Sequence, residues 1–133
     1  MRDELYDDTA AAPSLPAAIR TAAATVTGAT VDTAGTHNYF RSVMLIALSG
    51  AITDGTHTVS VQDSDDGTTG WTTASVIGDS GVFATAQANT TQRIAYMGNK
   101  RYLRAAVTTT GATVGGSMSA LFIMNHGSGR PVT

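Results

Sequence analysis

The chain contains no cysteine, which removes disulfides, thiolate nucleophiles and cysteine-based zinc sites from consideration. Charge is scarce as well: 14% of the residues are charged, against roughly 25% in an ordinary soluble domain. The basic residues are few and, apart from Lys100-Arg101, scattered singly, and the net charge is -2, so neither nucleic acid nor an anionic membrane is expected as a partner. No glutamate occurs after Glu4. Long apolar runs are missing too: the longest, Val43 to Leu48, falls far short of the roughly 20 residues that span a bilayer. The start carries Asp3, Glu4, Asp7 and Asp8 with no apolar core behind them, so no secretory signal is expected.

What fills the chain instead is Thr and Ala, together about a third of its 133 residues. That length fits one domain, which would bury roughly two thirds of the surface exposed by its unfolded chain. Residues 1–25 have few large apolar groups, and Pro13 and Pro16 favour extended chain, so this segment is expected to be an N-terminal arm that drapes over a partner. A short helix from Pro16 to Ala24, capped by Ser14, is the rival local reading. Residues 26–124 carry strand signals at short spacing, separated by Gly, Asp and Asn. They predict an all-β fold, a small antiparallel β-sandwich or jelly-roll-like barrel. Residues 125–133 form a polar C-terminal tail.

The expected strands are Tyr39 to Leu48, apolar on both faces in its second half and therefore central; Thr56 to Gln62, with Val59 and Val61 inward; Trp71 to Ile77; and Ser117 to Met124. Between the last two, Thr91 to Met97 and Lys100 to Val107 flank Gly98-Asn99, a pair suited to a type II′ hairpin. Pairing Met97 with Lys100 sets Arg93 opposite Arg104 and Ala95 opposite Tyr102. Like charges directly opposed destabilise a sheet, so this face predicts a nearby carboxylate, from the chain or from a partner.

Motifs with catalytic or metal-binding precedent fail on particular residues. Gly78-Asp79-Ser80-Gly81 resembles the nucleophile segment of trypsin-like proteases, but Val82 stands where a further Gly is required. Asp63-Ser64-Asp65-Asp66-Gly67 has the look of a calcium loop, yet Gly67 occupies a ligand position and no bidentate Glu closes it. His37, His57 and His126 are isolated, each beside turn residues, and read as surface histidines. The expectation is therefore no enzyme activity, no metal and no cofactor.

Two stretches carry a family resemblance. Thr53 to Thr68 (TDGTHTVSVQDSDDGT) and Gln92 to Arg104 (QRIAYMGNKRYLR), with the acidic start around Leu5-Tyr6-Asp7, resemble head structural proteins of tailed bacteriophages, of the capsid decoration or cement type. The resemblance implies a virion protein, made in the host bacterial cytoplasm, that binds the major capsid protein on the outer head surface. Closed symmetry on a symmetric lattice suggests homotrimers at threefold or quasi-threefold positions. The contact candidates are Leu5, Tyr6, Leu15 and Pro16 in the arm, and Arg93, Tyr102 and Arg104 on the hairpin face. A head-tail connector or tail protein, and a glycan-binding host-attachment module using Trp71 and the tyrosines, are the alternative classes.

Overall fold

The structure is a computed structural model that describes residues 9–34, 40–78, 86 and 88–125. It is an all-β sandwich, and no helix occurs among the described residues. The strands are β1 (Thr9–Arg20), β2 (Ala24–Thr27), β3 (Val31–Asp32), β4 (Ser42–Ile52), β5 (Thr56–Ser64), β6 (Thr72–Thr73), β7 (Val76–Gly78), β8 (Thr91–Tyr96), β9 (Tyr102–Thr110) and β10 (Gly116–Asn125). The first sheet runs β1-β10-β4-β8-β7 and the second β2-β9-β5-β6, with β3 also on β9. Every pairing is antiparallel.

A two-residue period sorts the side chains to opposite faces of each sheet. In β10, Met118, Ala120, Phe122 and Met124 are buried while the residues between them are half-buried. Across from them β9 and β5 turn in Leu103, Ala105, Val107, Val59 and Val61, and β4 and β8 add Leu45 and Ile94. The apolar run Met44 to Leu48, in the first half of β4, does lie centrally, between β10 and β8.

The segment expected to be a separate arm is extended, as its prolines require, but Thr9–Arg20 pairs with β10 as an edge strand of the first sheet. The sandwich therefore begins well before Val26, and the helix alternative over Pro16 to Ala24 does not form. Pro13 and Pro16 are tolerated because they sit on an edge, where the register shifts between Pro13 and Leu15 and between Leu15 and Ala18. Ser14 closes this side of the sandwich. Its hydroxyl donates to the Ala29 carbonyl (2.8 Å) and accepts from the Ala105 amide (3.0 Å), while its own carbonyl accepts from the Ala29 amide (2.7 Å).

The expected hairpin through Gly98-Asn99 is also corrected. β8 pairs with β4 and β7 in the first sheet, and β9 pairs with β2, β3 and β5 in the second, so residues 97–101 cross between sheets. Ile94 and Leu103 both need burial, and from opposite sheets both reach the shared core. The Tyr96 hydroxyl holds the corner by accepting from the Lys100 amide (2.9 Å). The expected strand Trp71 to Ile77 divides in the same way, with β6 on the second sheet, β7 on the first and buried Ala74 donating to Val61 at the bend.

Candidate interaction surface

The two outward faces of the sandwich differ in chemistry. On the first sheet the cross-strand row Ala11, Ile123, Met44, Ala95 and Ile77 runs from edge to edge, and Pro13, Leu121 and Ile46 lie beside it. Leu48 and Ile77, 42% and 56% exposed, extend the apolar area. Arg93, opposite Ile46, is the charged side chain within this field. At one end, Met44, Ala95, Met97 and Ile123 line a depression of about 680 Å³, whose rim also carries the polar Thr9, Arg41, Ser42 and Asn125. Apolar patches of this breadth mark protein contact surfaces, since solvent exposure of so many contiguous methyl groups is unfavourable.

The second sheet turns hydroxyls outward. Thr25 and Thr108 share a hydrogen bond (3.0 Å), and Thr56, Thr58 and Ser60 continue the row on β5. The abundance of threonine noted in the sequence thus coats one face, and the alternating Val and Ala of the same strands fill the core. At the far end of this face the Arg104 guanidinium stacks 4.2 Å above the Trp71 ring and donates to Gln62 (2.8 Å).

The polar clusters are bound internally. Asp66 accepts from Thr68 and Thr69 amides and from the Thr69 and Ser64 hydroxyls, which makes the calcium-like segment a self-contained turn. The Thr69 hydroxyl and the two amides hold its carboxyl well below the usual range. No group of three or more His, Asp or Glu suited to a metal occurs among the described residues. Asp54, in the β4–β5 turn, receives the Thr113 hydroxyl and the Thr113, Val114 and Gly115 amides. The Thr113 hydroxyl first, then the Gly115 amide, lower its pKa to about 2.

Two buried polar features were not foreseen in the sequence. His57, expected at the surface, is fully buried, with Nδ1 2.9 Å from the Thr109 hydroxyl and Nε2 3.2 Å from the Asp54 carbonyl. A carbonyl can only accept, so Nε2 is the donor of the second contact. The inward period of β5, His57-Val59-Val61, was the available signal. Buried Asp63 follows in that period: it accepts from Tyr96 (3.0 Å) and Thr72 (3.0 Å) and pairs with Lys100 (3.2 Å), joining the two sheets. Burial, with the Asp63 contact adding to it, raises the Tyr96 pKa to about 12.

The predicted contact residues do not form one site. Leu15 is core, 3% exposed, and Pro16 lies exposed on the β1 edge. Arg93 faces outward on the first sheet, whereas Tyr102 and Arg104 face outward on the second, so no Arg93/Arg104 face exists. Arg101, beside Tyr102, is held by Asp32 through two 2.8 Å contacts; the guanidinium hydrogen bonds lower the Asp32 pKa. Leu5, Tyr6, His37, His126, Asp79 to Gly81 and the tail beyond Asn125 lie outside the described residues.

The arrangement defines a small two-sheet β-sandwich with one apolar and one hydroxyl face. No family model and no curated protein sequence matches the chain. Among solved structures it is similar to the SPBc2 prophage-derived protein YomS, with TM-score 0.60 and 16% identity over 90% of this chain and 94% of that one. It is also similar to the PBSX exported protein XepA, with TM-score 0.60 and 18% identity over 98% of this chain, which spans 40% of XepA. At these identities the likeness is one of fold.

Proposed function

We propose that the chain is a non-enzymatic structural protein of a phage virion, which decorates and stabilises the head by binding the major capsid protein on its outer surface. YomS is described as prophage-derived, and this supports a phage-associated role. The observation that carries the docking mode is the apolar outward face of the first sheet, centred on Ile46 and Leu121 and bordered by the depression at Met44 and Ile123. In this reading the hydroxyl face of the second sheet points to solvent, and the rigid seams at Ser14 and Asp63 hold the docking face flat.

Co-sedimentation with heads assembled from the major capsid protein of the same phage tests this. Ile46→Asp would bury a carboxylate against an apolar partner and should weaken capture by about 30-fold or more. Arg104→Ala, on the hydroxyl face, should leave capture unchanged. Absence of capture by the unaltered protein would reject capsid decoration; undiminished capture of Ile46→Asp would reject this face.

A further inference from the structure

The sandwich has edges of unequal protection. β1 carries Pro13 and Pro16 and gives its Ser14 carbonyl to Ala29; β3 is guarded by the Asp32–Arg101 ion pair; β6 and β7 are two and three residues long. β2 is short as well, at four residues, and the Ser14 carbonyl closes its far end at Ala29, but the strand itself carries neither charge nor proline. All four of its residues are exposed, and from Thr21 to Val31 the chain has no charged residue and no proline. Native edges with neither charge nor proline are templates for another strand.

The backbone alternation fixes what this edge offers. The Gly28 amide donates to the Ala105 carbonyl (2.8 Å), so in the antiparallel ladder residues 24, 26 and 28 turn their backbone groups to β9. Thr25 and Thr27 turn theirs the other way, and β9 is the only neighbour of β2 among the described strands. The segment is also symmetric in chemistry about Val26, with a threonine on each side.

We propose that β2 is a self-association edge that pairs antiparallel with β2 of a second copy, on a twofold axis at Val26. Thr25 then exchanges both backbone hydrogen bonds with Thr27 of the copy, and Thr27 with its Thr25. The two Val26 side chains, each 38% exposed in the single chain, cover one another. Threonine pairs and β-branched pairs are favourable cross-strand neighbours, and no like charges meet. The joined second sheets leave both apolar first-sheet faces accessible, so the assembly is a twofold pair in place of the threefold cluster suggested by lattice geometry. The inference is independent of the capsid reading, because it concerns the purified chain alone.

Sedimentation equilibrium of the full chain from micromolar to millimolar concentration is the test. The expected result is reversible conversion of the 13.6 kDa chain into a species of twice that mass. Thr25→Pro removes an amide that β9 does not use, and should raise the dissociation constant on the order of 30-fold by deleting one bond on each side of the axis. Val26→Lys sets two ammonium groups in direct opposition, so its pairing should be lost at low salt and partly recovered at high salt. It decides the matter should the proline variant misfold. A chain that stays monomeric throughout, a species of three chains, or a pair indifferent to both substitutions would overturn the proposal.

Discussion

Replacing Ser14 by alanine removes a single oxygen that joins the two sheets. In the native chain that oxygen, on a residue 2% exposed, satisfies the Ala29 carbonyl and the Ala105 amide at once. Alanine leaves the buried Ala105 amide without its partner, and the backbone at Gly28, which lies against Ser14, leaves little room there for a water to replace the hydroxyl; the Ala29 carbonyl, on an exposed residue, can turn to solvent. An orphaned buried group costs about 1–3 kcal/mol, so Ser14→Ala should lose about 1–3 kcal/mol. That is a large share of the ~5–15 kcal/mol that stabilises a typical domain. Urea unfolding followed by circular dichroism measures the loss, and hydrogen exchange locates it: the Ala105 amide should lose protection selectively. Ser117→Ala, on the outward face of β10, is the control and should change stability by no more than about 0.5 kcal/mol. A Ser14→Ala loss as small as the control's, with Ala105 still protected, would refute the seam.

Two further predictions concern pH. Asp54 has its carboxyl pKa depressed from 3.8 to about 2, so its contribution to stability is present above 3.8 and is lost as pH falls through about 2; Asp54→Asn should flatten the decline in Tm over that window. Tyr96 is raised from 10.0 to about 12, so its neutral form favours the fold up to about pH 10 and that stabilisation is lost as pH rises through about 12. Tyrosinate absorbance should show a late-titrating component that Tyr96→Phe abolishes, and a titration curve that keeps this component in the variant would exclude Tyr96 as its source.

The sequence by itself determined the class of fold and most of the core. Alternation in Thr56 to Gln62 and in Ser117 to Met124, the central position of the Met44 to Leu48 run, and the extended character around Pro13 and Pro16 are all local properties of backbone and side-chain period. It did not determine partners between strands. Gly98-Asn99 suits a tight turn locally, yet Ile94 and Leu103 enter the shared core from opposite sheets, and that burial outweighs turn preference. The contact face was illegible for the same reason: Ala11, Ile123, Met44, Ala95 and Ile77 come from five segments and become one surface only when the strand order is set. His57 reads as a surface histidine because turn residues stand beside it, and Asp63 reads as part of a turn. Only Thr109, Tyr96 and Lys100, brought from distant parts of the chain, supply the polar contacts that let such groups lie inside.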